Sequence, residues 1–216
     1  MPFAVSPFTV TFDLVPAEMY RTVAPLILAS ASPRRREYLL GLGLLFEVHT
    51  VPIVEEPLPG EDPEGFVRRM AQEKAVAVGQ HYPEHWVIGG DTVVCLDKAI
   101  LGKPADAEDA VRMLMALSGR EHLVRSAFCV AHLATATTLV QSVSTRVVFA
   151  AFPESVARAY AATGEPLDKA GAYGIQGRGA ALVTAVEGSY SSVVGLPLAE
   201  LVRVLLTNGI IAAGDR

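Results

Sequence analysis

The chain has 216 residues, 51% of them hydrophobic and 19% charged, with a formal net charge of −5. That balance supports a sizeable core in one domain or two joined lobes and excludes a disordered chain. It also argues against a broad nucleic-acid surface, and no apolar run approaches the ~18 residues of a membrane-spanning helix.

The first residues carry Asp13 and Glu18 and lack a basic n-region, which makes a poor signal peptide. Residues 1–24 are expected to form an extension outside the core, and 25–210 a single domain. The apolar stretch 25–29 reads as a short buried strand, and Ser32 and Pro33 as the cap and first position of a helix ending near Gly41 or Gly43. "LLFEVHTV" suggests a second strand, and "EDPEGFVRRMAQEKAVAVGQ" a helix with an Asp-Pro start. "WVIGGDTVVCLDKAILGKP" predicts a hairpin turning at Asp97-Lys98. In "DAEDAVRMLMALSG", Asp106 caps a helix that stops before Gly119. Residues 121–150 hold two β-branched-rich runs expected to pair antiparallel, and "PESVARAYAATG" is a helix ending at Gly164. A glycine-rich stretch to Gly179, a strand near 181–186 and a closing helix from about Pro197 to Asn208 complete the chain. Alternating strands and helices give an α/β class with a mixed sheet. Cys95 and Cys129 lie in apolar runs and read as buried, reduced thiols in a cytoplasmic protein, and the five histidines show no metal-ligand spacing.

"SASPRRR" places Arg34, Arg35 and Arg36 where a strand gives way to a helix. A helix start presents free N–H groups, and arginine there opposes the helix dipole unless an anion is bound. Two readings stand: a phosphate site, or three solvated arginines paired with Glu37 and its neighbours. Arg36 is the one most simply solvated. In "GGDTVV", Asp91 ends an apolar strand, where a carboxylate can hold a divalent cation, take a proton from water, or merely cap a turn. Glu55 and Glu56 in "PIVEEP" could complete an oxygen-ligand site or be a charged loop, and Lys74 and Lys103 alone would read as surface lysines. "TGEPLDKAGAYGIQGRGA" is the most specific segment, with Asp168, Lys169, Tyr173 and Gln176 among its glycines. Such a backbone can approach a ligand closely, or form a structural turn. The Gln176 amide, both donor and acceptor, suits a pyrimidine edge.

Taken in order, "LASASPRR", "VEE", "EKA", "GGDTVV", "LGKP", "LSGREHLV", "TGEPLDKAGAYGIQGRG" and "SSVVGLP" resemble the Maf family of nucleoside triphosphate pyrophosphatases, over about residues 25–208. "GEPLDKAGAYGIQG" is similar to the subgroup acting on dTTP and UTP, not the one acting on 7-methyl-GTP. The resemblance implies an elongated mixed sheet with helices on its faces and two lobes around a deep active-site cleft, a Maf/ITPase-like fold. It implies hydrolysis of a nucleoside triphosphate to monophosphate and pyrophosphate with a divalent metal, Mg2+ in the cell and Mn2+ or Co2+ as substitutes in vitro.

Asp91 matches the family's proton acceptor, and Arg34, Thr92 and Gln176 match positions tied to substrate choice. Ser30, Arg35, Glu56, Lys74 and Lys103 match the remaining polar cleft residues, with Glu56 and Asp91 expected at the metal. The partner implied is the nucleotide and, by family habit, a second copy in a homodimer, with no nucleic-acid polymer and no membrane. "GGDT" for "GADT", "VRSA" for "V-x-T-G" and "SSVVGLP" for "NVVGLP" are departures that touch no matched catalytic position. The alternatives are a pyrophosphatase for purine or modified nucleotides and a nucleotide-binding regulator of cell division that hydrolyses nothing.

Overall fold

A computed structural model describes residues 18–97 and 99–214. In chain order the strands are β1 (Tyr20–Thr22), β2 (Leu26–Ala29), β3 (Glu47–Val48), β4 (Trp86–Leu96), β5 (Ala99–Leu101), β6 (Glu121–His132), β7 (Thr137–Phe149), β8 (Val183–Glu187) and β9 (Ile211–Ala213). The helices are α1 (Pro33–Gly41), α2 (Pro63–Gly79), α3 (Ala107–Leu117), α4 (Glu154–Ala161), α5 (Tyr190–Val194) and α6 (Leu198–Thr207). The main sheet runs β3-β2-β4-β6-β7-β8, with β5 folded back on the far end of β4. It is mixed, as expected. β2 lies parallel to both β3 and β4, and every later pairing is antiparallel.

Alternation along the central strands sorts their side chains between two faces. Val87, Val93 and Cys95 of β4 and Ala127, Cys129 and Ala131 of β6 pack with Phe66, Val67, Met70 and Ala75 of α2. On the opposite face, Ile88, Phe128 and Val130 meet Leu39 of α1 and Leu201 and Leu205 of α6. Farther along that second face, Val94, Leu96 and Val124 meet α3, α4 and the glycine-rich segment in a separate cluster. The two clusters on one face make the two lobes, and the cleft lies where they part. Gly89 sets how closely α2 approaches, since a Cβ there would stand 2.2 Å from the Ala71 carbonyl oxygen.

Asp62 and Asp106 cap α2 and α3 through their side chains, satisfying otherwise unpaired N–H groups. Ser32 does not cap α1. Its side chain makes no cap bond, and its N–H donates instead to Ser30 Oγ. The β4–β5 hairpin turns through Asp97, at φ 55°, while Lys98 lies outside the described residues.

Further expectations change. "LLFEVHTV" shrinks to Glu47–Val48, because this edge strand is exposed on both its residues. Residues 20–22 are not outside the fold: β1 pairs antiparallel with β9, Tyr20 opposite Ala213, and Tyr20 packs against the cluster holding Ile210 and Ile211. The expectation for residues 1–17 lies outside the described residues. Helix α5, five residues long, was not anticipated.

Candidate active site

Strand β2 pairs with β4 only as far as Ala29 opposite Gly89, and β5 pairs with it again from Val94. Between those points the chain after β2 turns away into α1, so residues 90–93 of β4 have, among the described residues, no strand neighbour on that edge. This is the crevice at the carboxyl end of a parallel strand, where α/β sheets place their ligands. A cleft of about 600 Å³ opens there, with Ser30, Arg34, Arg35, Asp91, Thr92 and Gln176 among its lining residues.

Alternation sends Asp91 and Thr92 to opposite sides of β4, and the break in pairing leaves both in the cleft. Asp91 points toward α2, where Lys74 Nζ donates to its Oδ1 at 2.8 Å and reaches Glu55 Oε1 at 2.7 Å. Thr92 points toward α1. Its Oγ1 accepts from Arg35 Nη2 at 3.2 Å and lies 2.8 Å from Ser126 Oγ, its register partner on β6. Arg35 completes a three-way anchorage, donating from Nε to the Gly195 carbonyl at 2.8 Å and from Nη1 to Ser30 Oγ at 3.0 Å.

The charges are arranged under tension. Asp91 is only 7% exposed, and burial pushes its carboxyl above the usual range while Lys74 and then Arg35 pull it back. Burial likewise pushes the Arg35 guanidinium down, with Asp91 opposing. Arginine stays protonated in proteins, so this is a cation whose hydrogen-bond partners are all neutral oxygens. A desolvated cation held this way favours an incoming anion.

Across the cleft, Arg34 Nη1 on α1 meets Asp168 Oδ2 on the glycine-rich segment at 3.4 Å. Lys169 Nζ holds the same carboxylate at 2.6 Å. Burial would raise Asp168, but Lys169 and Arg34 outweigh it, and its carboxyl sits below the ordinary value. Lys103 and Gln176 line the cleft, and among the described residues neither side chain has a hydrogen-bond or ion-pair partner. Arg36 is exposed and outside the lining, as its solvated reading anticipated.

Glu56 is the one expected site residue that the structure does not bring in. Glu55 lines the cleft instead. The loop that carries the pair is held from α2, where Arg69 Nη2 donates to the Glu56 carbonyl at 2.9 Å. Arg69 is itself fixed by Glu61 and Glu73, so the register of this loop is set from behind.

Among the described residues, no group of three or more His, Cys, Asp or Glu side chains could hold a metal by itself. Asp91 and Glu55, gathered on one ammonium, nonetheless suit magnesium, which takes one or two carboxylates plus substrate phosphates in preference to an all-protein cage. Residues missed from sequence were Glu55 as the inward member of its pair, Ser126 and the Gly195 carbonyl. The signal for Ser126 was its antiparallel register with Thr92, and for Gly195 the "SSVVGLP" motif that carries it.

The Maf-like protein family model matches residues 25–208 of the chain. A dTTP/UTP pyrophosphatase of Desulfotalea psychrophila is 56% identical over 194 residues, covering 90% of this chain and all of that protein. Proteins of the same description from Nitratidesulfovibrio vulgaris and Myxococcus xanthus are 52% and 50% identical, covering 87% and 86% of this chain and 89% and 93% of theirs.

Proposed function

Because the chain belongs to the Maf family, we propose that its cleft hydrolyses dTTP and UTP between the α- and β-phosphates, releasing the monophosphate and pyrophosphate. The observation that carries this reading is the pairing of opposite needs at β4. A buried carboxylate, Asp91, stands on one side, and a guanidinium held by neutral oxygens, Arg35, stands on the other.

A triphosphate brings about four negative charges, and Arg34, Arg35 and Lys103 give it a cationic cradle in an otherwise acidic protein. Asp91 accepts a proton from the attacking water. Its burial makes it a stronger base than a surface aspartate, and Lys74 keeps it ionised while empty of that proton. Water oxygen bonds to the α-phosphorus as the bond to the bridging oxygen breaks. The charge gathering on departing pyrophosphate falls among the same cations. A divalent ion on Asp91 and Glu55 would supply Lewis-acid polarisation of the phosphate oxygens. Gln176 offers its amide to the O4 and N3–H edge of uracil or thymine.

The test is product analysis with dTTP, UTP, CTP, dCTP, GTP, 7-methyl-GTP and ITP, with magnesium and with chelator. Metal-dependent pyrophosphate release, strongest with dTTP and UTP, is the expected result. Orthophosphate with a diphosphate product would refute the bond assignment. Binding without turnover would favour the regulator reading.

A further inference from the structure

Among the described residues the Gln176 side chain has no partner, so the precision of its placement must come from its backbone. That backbone is pinned at both ends by one pair of side chains. Tyr160, on the last turn of α4 and 6% exposed, accepts the Gly174 N–H at 3.1 Å and donates its own proton to Glu165 Oε1 at 2.8 Å. The Glu165 carboxylate then accepts the N–H of Gly179 on Oε1 and of Arg178 on Oε2, both at 3.2 Å. Residues 174 and 179 are thus drawn together with Gln176 at the crest between them. The closure leaves no slack: a Cβ on Gly179 would stand 2.3 Å from the Gly174 carbonyl oxygen and 2.6 Å from Tyr160 Oη. Lys169 Nζ bonds the Glu165 carbonyl at 2.6 Å, tying the acid's own backbone to the same turn.

We infer that Tyr160 and Glu165 form a clamp that holds Gln176 at the height of the nucleobase, so that base preference is set by two residues that do not touch the base. They are positioning residues, and the inference rests on the base-reading role given to Gln176 above. The chemistry supports a carboxylate at this place. Three donors converge on two oxygens, and the hydrogen bonds from Tyr160, Gly179 and Arg178 outweigh burial to keep Glu165 ionised. An amide could accept on its oxygen alone and would turn an N–H2 group toward a backbone N–H.

Three proteins decide it: the parent, Glu165→Gln and Tyr160→Phe. Two readouts are taken on each: the ratio of kcat/KM for UTP over CTP, and hydrogen exchange at the amides of residues 174–179. Both variants should lose protection at Gly174, Arg178 and Gly179 and lower the UTP/CTP ratio by about tenfold, mostly through KM for UTP. Glu165→Asp, which keeps the charge, should recover part of the ratio. Tyr160→Phe keeps the ring and supplies the answer if Glu165→Gln does not fold. Lost protection with an unchanged ratio would overturn the clamp's control of specificity, and unchanged protection would overturn the clamp itself. A parent with no UTP preference, but with protection lost in the variants, would instead strike the base-reading role of Gln176.

Discussion

His122 offers a sharp quantitative check on the packing beneath the cleft. It lies on β6 at 3% exposure, with Nε2 2.8 Å from Tyr173 Oη and its ring edge-on to Phe149 and Tyr173. Its Nδ1 is buried and, among the described residues, has no hydrogen-bond partner. Burial therefore pushes the imidazole from its ordinary 6.5 down to about 4. A folded-state value below the unfolded one means that protonation favours unfolding. The stability associated with neutral His122 is complete above pH 6.5, is lost progressively as pH falls from 6.5, and is gone below about 4. The full difference is worth about 3 kcal/mol, of which about 2 kcal/mol is gone by pH 5.

Urea unfolding of the parent and of His122→Gln at pH 7.5 and pH 5 isolates this group. Glutamine does not titrate, so other ionisations cancel in the comparison. The parent should lose about 2 kcal/mol more than the variant between the two pH values, whatever the variant costs at neutral pH. Equal losses would refute the claim that this histidine is held neutral by its surroundings. Tyr173 lines the cleft, so the same measurement reports on the wall that carries the glycine-rich segment.

Asp91→Asn should reduce turnover by about 10²- to 10⁴-fold while leaving the urea midpoint at pH 7 unchanged or higher. The folded-state value of Asp91 is raised by burial, so its ionised form is held at some cost to stability; parental turnover in this variant would remove Asp91 from the proton-acceptor role. Glu61 is bound by Arg69 through two bonds of 2.6 and 2.7 Å, which outweigh burial and hold its carboxyl near 2 instead of 4.5. Its contribution is present above pH 4.5 and lost as pH falls toward 2, so Glu61→Gln should cost about 1 kcal/mol at pH 6 and much less at pH 3, read by unfolding at both. Gly89→Ala forces a Cβ to within 2.2 Å of Ala71 O and 2.8 Å of Ala75 N. Helix α2 must shift and Lys74 with it, so both stability, by about 3 kcal/mol, and pyrophosphate release should fall; a parental melting profile would mean that the helix is not seated on that glycine.

The parts of this molecule that were legible in the sequence are those governed by local rules. Pro33 opening α1, Asp62 and Asp106 as caps, and the alternating runs of β6 and β7 all follow from chemistry within a few residues. That Asp91, Thr92, Arg35 and Lys74 would share one cleft was legible only through their motifs, since nothing local says that two strands and two helices converge on them. The choice between Glu55 and Glu56 was not legible. It depends on the register of an irregular loop, which Arg69 sets from α2 through the Glu56 carbonyl and Glu61. Strand β1 escaped for a related reason: among the described residues, Tyr20–Thr22 gains its strand partner from residues 211–213, far along the chain.

The position of Asp91 also explains why the site needs both lobes. A carboxylate at the middle of a fully paired sheet would be buried with no route to substrate, and one on a loop would be solvated and a weak base. The break in pairing between Gly89 and Val94 resolves the conflict, because β4 stays paired with β6 along this stretch while its other edge faces the cleft. Lys74, on α2 beneath one face of the sheet, then tunes the carboxylate, and on the other face the Gly195 carbonyl helps fix the Arg35 cation beside it. The glycine-rich segment closes the far wall and reaches back to α1 through Asp168 and Arg34. Under the proposed function, Arg35 on α1 meets the phosphates and Gln176 on the glycine-rich segment meets the base, so the two ends of the nucleotide fall to different lobes. A change that moves one lobe should alter base preference and turnover together, whereas a change confined to the Tyr160–Glu165 clamp should alter base preference first.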